Sequence, residues 1–336
     1  MENSILLTIG IPTYNGSKYI EQTLESILMQ LDIFDFKEIE ILISDNGSID
    51  STQDIIKAYS KKYPNLISYY RNEKNIGYDR NVDMIFKKAK GEYVETLGDD
   101  DFYKDEFCLE KILKIIKSDR EISVILLPID FLDTDTNKII KGFRINKDFI
   151  FKNGDDFFST TKWSTSAVSS LIIKKEFWNK VEKEKYFGSQ WIHIGVLINI
   201  LKSKRKAYVI SEPLIVVRVK NSRWGEHFGN QLECGFNHLN LFSEMISLGY
   251  RKETFEIFLK DRYKHNIEDI LILKPKKYRE RIAITKLMIK FFKNYPLFWI
   301  LHIPAMFFPS FLTHSILFIK KIINKFKICT IAFQEK

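Results

Sequence analysis

At 336 residues, 45% hydrophobic and 28% charged, the chain is long enough for one large or two ordinary globular domains and too apolar to be disordered. Its three cysteines, Cys108, Cys234 and Cys329, are too few and too dispersed for a disulfide framework or a cysteine metal site, which points to a reducing cytoplasm. The net charge of +9 gathers near the C-terminus, where residues 251–336 carry eighteen basic against seven acidic side chains. The opening Met1-Glu2-Asn3-Ser4 lacks a basic n-region and reads straight into a strand rather than a signal peptide.

Residues 5–11 form a short apolar run stopped by Pro12, the pattern of a buried strand. After the loop 12–17, Ile20, Leu24, Ile27, Leu28 and Leu31 recur at helical spacing. The alternation repeats three times. Strand 38–44 ends at Asp45, with an Asn46-Gly47 turn and a helix over 51–62. Strand 66–70 ends at Arg71, followed by Asn75-Ile76-Gly77 and a helix over 79–89. Strand 92–97 ends in Gly98-Asp99-Asp100-Asp101. This order predicts an α/β fold with a parallel, doubly wound sheet.

All strand ends of such a sheet lie on one edge, so Thr13, Tyr14, Asp45, Arg71 and the Asp triplet are brought together. Three adjacent carboxylates repel one another, and a divalent cation with oxygen ligands relieves that repulsion. The plainer alternative is an acidic turn with Asp101 as a helix N-cap. An aromatic face, a carboxylate, a guanidinium and a cation-binding triplet suit a nucleoside diphosphate. No Gly-rich dinucleotide fingerprint or Walker loop follows the first strand, which disfavours dinucleotide binding and ATP hydrolysis.

These segments resemble family 2 glycosyltransferases of the GT-A fold. The resemblance is carried by Ile-Gly-Ile-Pro-Thr-Tyr-Asn at 9–15, Ile-Ser-Asp-Asn-Gly-Ser-Ile-Asp-Ser-Thr at 43–52, Asn75-Ile-Gly77 with Arg80-Asn81, and Gly91-Glu-Tyr-Val. It covers roughly residues 5–105 and is similar to bacterial surface-polysaccharide members of the abequosyltransferase type. The resemblance implies that Pro12, Thr13 and Tyr14 border the nucleobase and that Asp45 accepts from a uracil-like N3–H. It places Arg71 beside the base, Arg80 among the nucleotide contacts and Asp99 at the ribose. Asp100 would bind Mn2+ or Mg2+, with Asp101 the second candidate for the metal and for catalysis. Gly98 stands where the family often has its first Asp. The implied reaction is inverting transfer of a sugar from a nucleotide donor, most simply UDP-linked.

Residues 105–118 read as an amphipathic helix, 122–131 as an apolar strand and 132–162 as a polar loop or ribbon. Residues 163–173 read as a strand whose Ser and Thr hydroxyls are either solvated or line a sugar pocket. The family's usual Glu-Asp pair is absent where it would be expected, and Gln190-Trp191 stand there instead. His193 is the nearby group with a suitable pKa for a general base, or else a structural histidine. Trp191 is a candidate stacking face for an acceptor sugar. Strand 207–217 leads to a basic aromatic loop that is either solvated or presents Arg218, Lys220 or Arg223 to phosphate. Its Arg223-Trp224 resembles an Arg-Trp pair that some family members place over the active site.

The expected division is a nucleotide-sugar-binding and catalytic domain over 1–230 and a helical, basic extension over 231–336. Residues 295–319 contain no Lys, Arg, Asp or Glu and are flanked by lysines. Prolines 296, 304 and 309 favour short apolar helices lying in a membrane interface over one spanning helix, the plainer alternative being a C-terminal core or dimer-forming helical pair. That placement suits a polyprenyl-linked or growing glycan acceptor at the inner face of the cytoplasmic membrane. The rival readings are a nucleotidyltransferase on a similar sheet, and a non-catalytic membrane-binding protein. The long uncharged block argues against a nucleic-acid partner.

Overall fold

The computed structural model describes residues 4–33, 37–219, 231–273 and 277–308. Two compact units divide the chain, one comprising Met1–His227 with Leu241–Phe255, the other Phe228–Asn240 with Glu256–Lys336. Residues 241–255 thus group with the N-terminal unit, so the division interleaves instead of falling once at residue 230.

In the first unit, strands β1 (Leu7–Thr13), β2 (Ile39–Asp45), β3 (Ile67–Arg71) and β4 (Tyr93–Thr96) alternate with helices α1 (Ile20–Ile33), α2 (Thr52–Lys62) and α3 (Tyr78–Lys88). They lie parallel in the spatial order β3-β2-β1-β4. Every residue of β1 and β2 is buried, because helices cover both faces of a parallel sheet. That is why these strands read as unbroken apolar runs instead of alternating ones. The sheet continues through β10 (Leu171–Lys174), β6 (Ile122–Leu126), β11 (Lys206–Val209) and β9 (Phe149–Phe151) to eight strands. β10 runs antiparallel to both of its neighbours.

A second, four-stranded sheet has the order β5 (Phe102–Tyr103), β12 (Ile215–Val219), β7 (Ile129–Asp133) and β8 (Lys138–Lys141). The sequence pattern does not announce it. The single strands expected over 122–131 and 207–217 are each two strands, one in each sheet. Pro128 and Pro213 mark the breaks, since proline removes a ladder donor and fixes φ. The strand expected over 163–173 is also shorter: 3-10 turns occupy Lys162–Thr165 and Val168–Ser170, and only Leu171–Lys174 pairs. The segment expected as a polar loop or ribbon holds the end of β7, strands β8 and β9, and helix α5 (Gly154–Thr161), with β7 and β8 forming an antiparallel ribbon. Asp101 caps no helix, because β5 follows it and helix α4 begins only at Cys108 (Cys108–Ser118). Helices α6 (Lys175–Asn179) and α7 (Ile192–Leu201) complete the N-terminal elements.

Helices α8 (Gln231–Ser247), α9 (Lys252–Leu273) and α10 (Tyr278–Phe292) follow. A π-helical turn at Phe298–His302 then leads into α11 (Ile303–Phe307), whose first turn contains Pro304. Proline is tolerated there because first-turn N–H groups have no intrahelical partner. Within the second unit the core is aromatic: Phe292 packs against Phe236 and Phe298 at ring separations of 6.1 and 6.0 Å. No helix among the described residues is long and apolar enough to cross a membrane. Residues 309–319 of the uncharged block lie outside the described residues.

Candidate active site

Strand register assembles the first part of the site. Thr13 pairs with Asp45 across β1 and β2, and Asp45 pairs with Arg71 across β2 and β3. Asp45 is fully buried: one carboxylate oxygen accepts the Ser48 N–H at 2.8 Å and the other the Tyr69 hydroxyl at 2.9 Å. The Arg71 guanidinium approaches the same carboxylate at 3.4 Å and donates to the Ser48 carbonyl at 2.9 Å. Burial, then the hydrogen bond to Asp45, raises the pKa of the Tyr69 phenol. Asp45 is therefore the hub that fixes the β2 loop, with Arg71 half-exposed above it.

The loops after β1 and β2 are laced together. Asn15 donates its N–H to Ser48 Oγ and accepts from Ile49 N–H, both at 2.9 Å. Asparagines also tie the third loop and α3 to the end of β2. Asn46 accepts from Ile76 N–H at 2.9 Å, while Asn81 donates to the Ser44 carbonyl at 2.9 Å and accepts from the Ser44 hydroxyl at 2.7 Å. The Asn75-Ile-Gly and Asn81 signature thus holds the β3–α3 loop against the end of β2.

The Asp triplet sits where the chain leaves the large sheet at β4 and enters the small sheet at β5. The Thr13 hydroxyl donates a short hydrogen bond to the Asp99 carboxylate. Gly16 makes this approach possible, because a Cβ there would lie 2.4 Å from both Thr13 Oγ1 and Asp99 Oδ2. The Thr23 hydroxyl reaches the carbonyls of Asp99 and Asp101 at 3.1 and 2.7 Å. Ser169 donates to the Asp101 carboxylate at 2.5 Å and accepts the Gly98 N–H at 2.9 Å. Arg218, near the end of β12, donates to the Asp100 carbonyl and to Gln22 Oε1. Its guanidinium lies 4.9 Å from the ring centres of both Tyr19 and Phe102.

Asp99 and Asp101 are buried, and Asp100 is the half-exposed member of the three. The Asp101 carboxyl titrates well above the usual carboxylate range, first through burial and then through the charge of Asp100. Tyr78, at the start of α3, has a phenol raised by burial and by Asp79, Asp101, Asp100 and Asp99 in that order. Among the described residues no three acidic, His or Cys side chains converge into an all-protein metal cage. The donor set that is present, a half-exposed carboxylate beside a second one, suits Mg2+ or Mn2+ that shares its coordination with phosphate oxygens. Asp100, then Asp101, would hold such an ion.

Several sequence candidates lie elsewhere. Arg80 stacks over the Phe187 ring at 4.3 Å instead of joining the strand-end cluster. Trp191 is only 4% exposed, so it offers no face to a sugar. His193 is 3% exposed, and its Nε2 contacts the Ser166 carbonyl at 3.0 Å. Desolvation lowers its pKa to about 4, so the ring is neutral. A neutral imidazole enclosed in α7 cannot meet an acceptor hydroxyl, which argues against the base role. Arg218 is engaged with the Asp100 turn, so it latches the turn instead of waiting for phosphate. Lys220, Arg223 and Trp224 lie outside the described residues.

The sequence reading misses Asp79 and leaves Ser169 undistinguished among the hydroxyls of 163–173. Ser169 sits in a Ser/Thr run with no local signature, and only the antiparallel return of β10 brings it to Asp101. Asp79 reads as an ordinary first-turn acid of a helix. In the structure its carboxylate accepts the N–H groups of Gly188 and Gln190 at 2.8 Å and of Ile192 at 3.1 Å. It thereby holds the loop before α7, in which Gln190 takes a left-handed φ of 69°.

The profile of Glycosyl transferase family 2 matches residues 8–177, about half the chain and all of the strand-end cluster except Arg218. The chain belongs to glycosyl transferase family 2. It is 31% identical over 235 residues to an abequosyltransferase of Salmonella typhimurium, covering 65% of this chain and 68% of the relative. An uncharacterized glycosyltransferase of Mycoplasma genitalium is 35% identical over 221 residues, covering 64% and 68%. Among solved structures, S. aureus TarS in complex with UDP-GlcNAc superimposes with a TM-score of 0.65 at 16% identity, covering 87% of this chain and 82% of TarS. The mannosyltransferase PcManGT of Pyrobaculum calidifontis, in complex with GDP-Man and Mn2+, gives 0.54 at 15% identity, covering 92% and 86%. The glycosyltransferase therefore has the GT-A fold, as the sequence resemblance implies.

Proposed function

We propose that this glycosyltransferase moves a sugar from a nucleotide donor, UDP-linked in the simplest case, to a lipid-linked or growing bacterial surface glycan, with inversion at the anomeric carbon. The observation that carries the donor half is the strand-end cluster: Thr13, Asp45 and Arg71 in register, tied through Thr13 to Asp99 and the acidic turn. Tyr14 and Arg71 would flank the base with Asp45 beneath it. Asp99, oriented by Thr13, would face the ribose, and Asp100 would lie at the diphosphate.

A divalent ion bound there supplies Lewis-acid stabilisation of the charge that grows on the leaving diphosphate. The chain's own residues do the placing. Thr13, Thr23, Ser169 and Arg218 hold the acidic turn through its carbonyls and carboxylates, so the leaving group meets a fixed arrangement. The complexes named for TarS and the mannosyltransferase, and the abequosyltransferase relative, support this reading. A glycan acceptor carried on a membrane-anchored lipid would place the enzyme at the cytoplasmic face of the bilayer, with the C-terminal region against it.

The test is a thermal-shift screen of UDP, GDP and their sugars with and without Mn2+, followed by transfer assays with Asp100→Ala. Stabilisation by a nucleotide sugar that needs the metal and is lost in the variant supports the assignment. Full turnover by Asp100→Ala overturns the metal role, and no shift with any nucleotide overturns the donor reading. The anomeric configuration of the product, read by NMR, decides inversion.

A further inference from the structure

The second unit carries a surface that glycosyl transfer does not use. From residue 296 to residue 308 the inward side chains are Phe298, His302, Ala305 and Met306, all buried. The outward ones are Leu297 (56% exposed), Trp299 (48%), Ile300 (66%), Leu301, Phe307 and Phe308. A helical segment of a water-soluble surface shows polar residues outward, and this one shows large apolar residues on its outer side instead. No charged residue interrupts it. Tyr278 extends the patch, with its ring 5.9 Å from that of Phe307.

The neighbouring charge is one-sided. Residues 277–308 contain six basic side chains and a single acidic one, Glu280. Lys286 and Lys290 are exposed on the helix that leads into the patch, and Lys293 is exposed just past its end. Trp299 donates its indole N–H to the Lys293 carbonyl at 2.9 Å, which joins the aromatic rim to the basic border.

We propose that the face formed by Leu297, Trp299, Ile300, Leu301, Phe307 and Phe308 inserts into the interfacial layer of an anionic phospholipid membrane, with the lysines on its headgroups. This rests on, and deepens, the reading of a membrane-anchored acceptor. Charge selects the occupant. A second copy of this chain meeting the face symmetrically would bring lysine borders together, and a nucleic acid would meet an uncharged centre. An anionic bilayer satisfies both parts, taking apolar side chains about 5–10 Å deep and lysines at its surface. The turn and short helix are suited to lying in that layer, and none of the described helices is built to cross it.

The experiment is co-sedimentation of the full chain with vesicles of phosphatidylcholine containing phosphatidylglycerol, and with phosphatidylcholine alone. Partitioning onto the anionic vesicles is expected to fall at least tenfold in Leu297→Glu/Ile300→Glu/Leu301→Glu. In Lys286→Gln/Lys290→Gln/Lys293→Gln the preference for anionic over neutral vesicles is expected to shrink. Both variants should keep the wild-type unfolding midpoint and nucleotide-induced shift, which shows that each is folded. Unchanged partitioning of the folded glutamate variant overturns the proposal. So does a wild-type chain that binds no vesicle but is a dimer the glutamate variant breaks. Vesicle binding without any nucleotide shift counts against the donor reading alone.

Discussion

Replacing Asp79 with Ala is the most severe single test of how the loop before α7 is held. The carboxylate is buried and receives three backbone N–H groups at 2.8, 2.8 and 3.1 Å from residues 188, 190 and 192. Burial raises its pKa while those hydrogen bonds lower it, so the net upward direction reflects strong desolvation only partly offset. A hydrogen bond to a charged group contributes about 1.5–3 kcal/mol, and each donor left buried without a partner costs about 1–3 kcal/mol. The three share one acceptor and are not additive, so about 3–5 kcal/mol is expected for Asp79→Ala. Asp79→Asn should lose less, since its amide oxygen can still accept the Gly188 and Gln190 N–H groups while its NH2 faces the Ile192 N–H. The assay is urea unfolding followed by tryptophan fluorescence. A loss below about 1 kcal/mol would refute the view that this carboxylate organises the loop.

Gly16→Ala forces a methyl group into the Thr13–Asp99 contact, where 2.4 Å is available. It should cost about 1–3 kcal/mol by overpacking and weaken nucleotide binding in calorimetry, whereas unchanged binding would detach that contact from the donor site. Ser169→Ala frees the Asp101 carboxylate from its donor. The expected effect is a higher Mn2+ requirement with little change in nucleotide affinity, measured by metal titration of turnover. Glu95 gives a pH test. Burial lifts its carboxyl from the ordinary 4.5 to about 8, opposed by the Tyr103 hydroxyl at 2.6 Å. A raised folded-state pKa means that the stabilisation is complete below pH 4.5 and is lost as pH rises to 8. Wild type should therefore lose up to about 5 kcal/mol relative to Glu95→Gln across that window. Parallel unfolding curves for the two proteins at pH 5 and pH 8 would remove Glu95 as the cause.

The parallel half of the sheet was legible because both of its faces are covered. Short apolar runs ending at Pro12, Asp45, Arg71 and Gly98 marked the strands and their ends, while their order in the sheet came from the structure. The convergence of Thr13, Asp45, Arg71 and the Asp triplet followed from topology alone, since β1 to β4 point the same way. The other half was less legible for a definite reason. Pro128 and Pro213 sit inside apolar runs that look like single strands, and only pairing partners far along the chain reveal two sheets. Ser169 and Asp79 act through backbone groups and carboxylates more than sixty residues away, which no local spacing encodes. His193 failed as a base because composition gives its pKa class, not its burial.

Those two prolines have one more consequence. β6 with β11 and β7 with β12 are parallel pairs of the same two stretches of chain, and Leu214 N–H bonds the Pro128 carbonyl at 3.2 Å. Both stretches therefore bend as one ribbon from one sheet into the other. Arg218 stands on the far arm, roughly 16 Å beyond Pro213 at about 3.3 Å per residue. A change of about 10° in the bend would swing the guanidinium by nearly 3 Å, enough to lift it from the Asp100 carbonyl. Substitutions at the proline pair would therefore be felt at the Arg218 contact with the Asp100 carbonyl, on the strand that follows Pro213.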